Sequence, residues 1–273
     1  RKAGHTGSLD PLATGLLPVC FGEATKVSAR LLADNKTYEV CAQLGVVTDT
    51  GDADGRVIAE RPVPERLDAM RVESLLTAFR GDLMQVPPMM SALKHNGKRL
   101  YQLARAGVVV ERPARPVRID RLVCLGVESD RLWLEVGCSK GTYVRSLVED
   151  IGAAMGCGAH VRTLRRTRIG DLDLARAVTL EAIERAALPG DDSLLQALLR
   201  PADSALSGWP AVTLADASVR RYLHGQSVVL AVPEAPVGDV RVYGSDSGAG
   251  CFLGTGRLDP GGRLIPVRRI GRW

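Results

Sequence analysis

The stretch KTYEVCAQLG, residues 36–45, decides the fold class. Tyr38, Val40, Ala42 and Leu44 fall on one side of it, and Thr37, Glu39, Cys41 and Gln43 on the other. A period of two marks a strand with one face turned to a core. Further strands are expected around Val117–Val127 and Arg131–Gly137, and over AHVRTLRRTRIG (159–170). Between them lie segments of helical period. GEATKVSARLLAD (22–34) carries Val27, Leu31 and Leu32 on one side. PERLDAMRVESLLTAFRG (64–81) carries Val72, Leu75, Leu76 and Phe79 and stops at Gly81. A third helix is expected around Leu100–Ala106. A fourth follows Thr142, a plausible cap, with Val144, Leu147, Val148 and Ile151 as its buried stripe. Strands and helices mix without βαβ alternation, so the expected class is α+β: a mixed, mainly antiparallel sheet with flanking helices.

The text changes near LPGDDSLLQALLRPADSALSGWP (188–210), where small residues and prolines read as a linker. Beyond it come AVTL, QSVVL, DVRVYG, GCFLGTGRL and RLIPVRRI, short strands divided by glycines. They predict a small all-β barrel of about 65 residues. The expected division is therefore 1–208 and 209–273. Because the chain opens on Arg1 rather than Met, a native segment ahead of it is expected too.

Composition narrows the function. In 273 residues, 45% hydrophobic and 25% charged, no apolar run approaches the length of a membrane span and no secretory signal opens the chain. Cys20, Cys41, Cys124, Cys138, Cys157 and Cys251 are scattered, as are His5, His95, His160 and His224. That spacing excludes the usual zinc patterns, and a disulfide framework does not suit a chain of this size. A reduced, metal-free, cytoplasmic protein is expected. A net charge of +5 makes a polyanion a plausible partner. The arginines cluster in RTLRRTR (162–168), along Arg105, Arg112, Arg115, Arg118 and Arg121, and near the C-terminus. A charge run alone is more often a solvated face; three in one chain point toward nucleic acid.

Three places could carry chemistry. GHTGSLDPLATG (4–15) sets a lone carboxylate, Asp10, among glycines with no Lys or Arg nearby. Asp-Pro is also a turn starter, and Asp10 could cap a helix with Pro11 as its first residue. Tyr38 opens a strand and could be a core aromatic. Tyr143 and Arg145 begin a helix behind SKGT (139–142), where an anion is favoured and an arginine can grip a carboxylate with two prongs. SKGT lacks the upstream glycine of a phosphate loop, and TDTGDADGR (48–56) lacks the downstream glutamate of a calcium loop.

Taken together, these stretches resemble a known family. GHTGSLDPLATGLLPVCFGEATK (4–26) is similar to the signature of the bacterial tRNA pseudouridine synthases of the B type, which act on uridine 55 of the T arm. KTYEVCAQLGVVTDTGDADG (36–55), QVPPMMSALKHNGKRLYQLARAG (85–107) and GCSKGTYVRSLVEDIGAAMGCGAHVRTLRRT (137–167) resemble that family in order and spacing. The C-terminal strands resemble its PUA-like RNA-binding barrel. Ser8 departs from the usual Thr but keeps the hydroxyl. The resemblance implies that Asp10 is the catalytic aspartate, that Tyr38 stacks on the target base and that Arg145 pairs with Asp10. It implies that His5 helps expose the nucleotide and that Tyr143 and Leu164 line the uridine pocket. Lys94, Lys98, Arg162, Arg165 and Arg166 are the expected RNA contacts. No cofactor, no obligatory protein partner and a monomer are the remaining expectations.

Overall fold

The structure, a computed structural model, describes residues 2–65, 67–188, 190–230, 236–245 and 250–270. The chain gathers into two compact units, one of Ser8–Leu16 with Ala33–Leu174, the other of Arg1–Gly7, Leu17–Leu32 and Ala175–Trp273.

The first unit is built on a seven-stranded sheet. Its order runs Leu172–Asp173, Ala159–Ile169, Lys36–Leu44, Arg131–Cys138, Arg115–Glu128, Gly81–Gln85. The pairings along this path are antiparallel, and the short strand Thr14–Gly15 adds a parallel one to Ala159–Ile169. Register explains the core. Val40 stands opposite Leu134 on one side and Leu164 on the other, and Ala42 opposite Leu132 and Val161. All six are buried in one cluster, and each fully buried aliphatic side chain contributes roughly 1.5–3 kcal/mol.

Two helices cover that face. Val144–Ala154 brings Val144, Leu147, Val148 and Ile151 into the cluster, the stripe expected from sequence. Its N-cap is Tyr143 rather than Thr142, one residue later than expected. A Cβ at Gly152 would lie 2.3 Å from the Ala159 nitrogen, so a glycine stands mid-helix where helix and strand backbones touch. Helix Ala69–Leu76 is capped by Asp68, whose side chain accepts the Arg71 N–H at 2.8 Å. Val72 and Leu76 are buried, while Leu75 and Phe79 are only partly so.

Two bulges in strand Ala159–Ile169 rearrange its arginine run. Leu164 and Arg166 turn inward, at 6% and 2% exposure. Arg162, Arg165 and Arg168 face out. Periodicity alone does not foretell this, because each bulge resets the alternation.

The second unit contains the hairpin Ala3–His5 with Val19–Phe21 and a five-stranded sheet. The sheet order is Ala211–Leu214, Gly238–Gly244, Cys251–Leu258, Arg263–Arg269, Val228–Val229. These strands are the ones expected. The unit also holds helix Asp216–Leu223, which the sequence reading left unassigned because only Val219 and Tyr222 in it are buried. Tyr222 is fully enclosed and donates to the carbonyls of Thr255 at 3.0 Å and Arg268 at 3.3 Å. The 188–210 stretch is folded rather than a plain linker: Ser193–Leu198 is helical, and Leu206 packs with Val27 and Ile270. No helix among the described residues is long and apolar enough to cross a membrane.

Candidate active site

Asp10 sits in a turn, closed by the Ala13 N–H donating to its carbonyl at 2.9 Å. No helix follows, contrary to the capping alternative: Thr14–Gly15 is a strand. Leu12 and Ala13 pack on the core cluster and give the loop a floor. Its exit is tied down by reciprocal bonds. The Leu16 N–H donates to the Arg166 carbonyl, and Arg166 Nε donates to the Leu16 carbonyl, both at 2.8 Å.

Gly15 is required at this junction. Its φ is +100°, and a Cβ there would lie 2.3 Å from the Arg166 carbonyl oxygen. Gly15→Ala is expected to destabilise the protein by about 1–3 kcal/mol, measured as the shift in urea unfolding. An unchanged midpoint would show that the loop has another anchor.

Arg145 is the second residue of helix Val144–Ala154 and reaches Asp10 across 135 positions of sequence. Its Nε donates to one carboxylate oxygen at 2.9 Å, and a terminal nitrogen donates to the other at 3.2 Å. This is the two-pronged grip. The rest of the guanidinium is also occupied: Thr50 accepts at 2.9 Å, Met90 accepts at 2.8 Å, and the Asp52 carboxylate lies 3.6 Å away. The side chain of Arg145 is 4% exposed and that of Asp10 is 37% exposed. So the cation is sealed below and the anion presents an open face above.

Tyr38 packs against the core cluster, two residues along the strand from Val40 and opposite Arg166. Burial pushes its phenol above the usual tyrosine range; Cys138 and Asp10 add to the rise, and a hydrogen bond with Arg166 opposes it. The ring is therefore neutral at physiological pH. Leu164, opposite Val40, lies diagonally beside it. Tyr143 is held through its backbone by the Gln85 side chain, discussed below. Asp10, Arg145, Tyr38, Tyr143 and Leu164 thus all belong to the first unit. His5 belongs to the second, where its Nδ1 accepts the Gly7 N–H at 3.3 Å.

The expected RNA contacts divide. Lys94 and Lys98 are exposed on a hairpin whose turn, Asn96-Gly97, has both φ values positive, at 49° and 82°. Arg162 and Arg165 are exposed as well. Arg166 is not available to RNA: it is 2% exposed, and its guanidinium serves Leu16 and Tyr38. Elsewhere, Arg118 is engaged by Asp82 and Asp120, and Arg121 by Glu135.

Three supporting groups escaped the sequence reading. Asp52 lies in the loop set aside as a weak calcium motif, Gln85 at the end of a strand, and Met90 contributes only a carbonyl. Backbone acceptors leave no trace in residue identity. Asp52 could have been suspected as a carboxylate between two glycines, Gly51 and Gly55, in a loop of otherwise unexplained composition.

Comparison with known proteins agrees along the chain. Residues 1–144 match "TruB family pseudouridylate synthase (N terminal domain)", 145–207 match "tRNA pseudouridylate synthase B C-terminal domain", and 210–270 match "Pseudouridine synthase II TruB, C-terminal". A Stutzerimonas stutzeri protein named tRNA pseudouridine synthase B is 54% identical, over 99% of this chain and 87% of its own length. A protein of the same name from Pseudomonas aeruginosa is 53% identical over the same shares. Among solved structures, "Structure of H/ACA RNP bound to a substrate RNA containing 2′-deoxyuridine" superposes with a TM-score of 0.72 at 23% identity. The match covers 100% of this chain and 77% of that one, a likeness of fold alone. "Crystal Structure of a Cbf5-Nop10-Gar1 Complex" superposes with a TM-score of 0.69 at 26% identity, covering 100% and 76%.

Proposed function

The chain belongs to the TruB family of pseudouridylate synthases and is a tRNA-modifying isomerase; from this premise we propose that it converts uridine 55 in the T loop of tRNA to pseudouridine. Asp10 is the nucleophile, Arg145 its partner, Tyr38 the stacking platform, and Tyr143 and Leu164 the pocket wall. The observation that carries this reading is the Asp10–Arg145 pair, buried on the arginine side and open on the aspartate side.

The reaction breaks the bond from ribose C1′ to uracil N1 and joins C1′ to C5. The C5 proton leaves, N1 gains one, and the product is an isomer. No redox step or group donor is needed, in keeping with an enzyme that uses no cofactor. A nucleophilic carboxylate divides the rearrangement into two easier steps. Attack at C1′ or at uracil C6 both use the Asp10 carboxylate, which Arg145 orients with two donors, one to each oxygen. The detached base must be held while it turns; the neutral face of Tyr38 suits this, since base–aromatic stacking is worth about 1–3 kcal/mol. The target uridine is enclosed in the T loop, so it is flipped out at a cost of a few kcal/mol. His5, on the strand Ala3–His5 that precedes the Asp10 loop in sequence, assists that exposure.

Along the sequence, 1–208 is the catalytic segment and 209–273 the PUA-like RNA-binding segment, whereas the compact unit that holds the C-terminal strands also takes in Arg1–Gly7, Leu17–Leu32 and the chain from Ala175 onward. This boundary is supported by family segments that end at 207 and resume at 210. The protein works as a cytoplasmic monomer without an obligatory protein partner. The direct test is tritium release from 5-tritiated uridine in a T-arm hairpin by the protein alone. Binding without release would instead favour an RNA-folding or RNA-binding role.

Lys94, Lys98, Arg162 and Arg165 are the proposed phosphate contacts. Four such contacts predict a slope of about −3 in log affinity against log salt. A flat response in a filter-binding titration would remove these side chains from the RNA surface.

A further inference from the structure

Gln85 ends strand Gly81–Gln85 and is 6% exposed, yet nothing in the reaction calls for an amide there. Both of its polar atoms are spent on the backbone of one residue. Its Oε1 accepts the Tyr143 N–H at 2.8 Å, and its Nε2 donates to the Tyr143 carbonyl at 3.1 Å. Tyr143 is extended, with φ −102° and ψ 110°, at the step between the Ser139–Thr142 turn and helix Val144–Ala154. No side-chain cap closes this helix from within. The Gln85 amide therefore acts like a neighbouring strand, satisfying a half-buried N–H at the place where the chain changes conformation.

The two groups that follow this clamp differ in how they are fixed. Arg145 is held by Asp10, Thr50 and Met90. Tyr143 has its backbone clamp and the first helical bond, from the Leu147 N–H to its carbonyl at 3.1 Å. The direction of its Cα–Cβ bond, from which the ring swings, is thus set by the peptide planes that Gln85 grips. We propose that Gln85 is a positioning residue that aims Tyr143 at the uridine. This rests on the reading above, in which Tyr143 lines the pocket. A misplacement of about 1 Å at a reacting centre can cost on the order of 10²-fold in rate.

The side-chain chemistry is specific. Asparagine is one methylene shorter. Glutamate keeps the acceptor but sets a buried charge against the Tyr143 carbonyl. Methionine keeps the length and loses both bonds. The test uses the full chain and a 5-tritiated T-arm RNA in single-turnover reactions, with Gln85→Met, Tyr143→Ala and the double variant compared with the parent. Gln85→Met is expected to react about 10–100-fold more slowly, with RNA affinity within about threefold of the parent. The double variant is expected to be no slower than Tyr143→Ala alone, since the clamp acts through that ring. Parental rates in Gln85→Met, or losses that multiply in the double variant, overturn the proposal. Should Gln85→Met not fold, Gln85→Glu takes its place, and a parental rate in that variant overturns it equally. A parent that releases no tritium defeats the underlying reading instead, and is recognised before any variant is made.

Discussion

Asp10→Asn is expected to abolish pseudouridine formation while leaving tRNA bound. The substitution is nearly isosteric and falls on a side chain that is 37% exposed, so the fold loses little. Two of the Arg145 donors then face a neutral amide, and one of them can still be satisfied by its oxygen. What disappears is the proposed nucleophile. Removing a group on which covalent catalysis depends costs on the order of 10⁴-fold or more. The phosphate contacts proposed above lie on other side chains: the exposed lysines of the Lys94–Arg99 hairpin, Arg162 and Arg165. The measurement is paired, tritium release and filter binding on one preparation. Rate loss with retained affinity supports the nucleophile. Full activity in the variant would eliminate it and leave Arg145 gripping a merely structural carboxylate.

The parts of this site that could be read from sequence are those in which residue type and chemistry coincide. An aspartate among glycines, an arginine at a helix start and a tyrosine on an alternating strand each had a bland alternative. Their order along the chain, compared with a known family, is what favours the functional reading of each. The strands of the central sheet were legible for a similar reason, because Val40, Ala42 and Leu44 repeat with the period of the backbone. What was not legible depends on register and on backbone groups. Arg166 reads as one more surface cation in RTLRRTR, but the bulge between Val161 and Thr163 turns it inward. Asp10-Pro11 carried a helix-capping signal, but the parallel pairing of Thr14–Gly15 with Arg165–Arg166 took the following residues into the sheet. Helix Asp216–Leu223 is too polar and short for its period to stand out, and its place depends on Tyr222 reaching two distant carbonyls.

Arg145→Met is expected to remove activity and stability together, and this separates it from Asp10→Asn. The guanidinium neutralises two carboxylates of unlike setting. Asp10 has an open face and can be hydrated once the arginine is gone. Asp52 is 5% exposed and cannot. It retains neutral donors, the Thr50 hydroxyl at 2.5 Å and the Asp54 N–H at 3.2 Å, but no other ion-pair partner among the described residues. The carbonyls of Thr50 and Met90 lose their donors as well. Breaking a buried ion pair from one side costs about 3–5 kcal/mol, because a buried charge is left behind. The unfolding midpoint in urea should fall accordingly. Adding Asp52→Asn removes the stranded charge, so the double variant should recover much of the stability and none of the activity. Arg145→Lys sharpens the distinction: it keeps the positive charge but not the planar fork, and lysine does not replace arginine where two prongs matter. That variant should fall between Arg145→Met and the parent in stability, because donors grouped on one nitrogen cannot reach all the acceptors the fork serves, and should lose about 10²-fold in rate through a misoriented carboxylate. Equal stability in Arg145→Met and the parent would mean that Asp52 does not depend on this cation, and the two-carboxylate account of this arginine would fail.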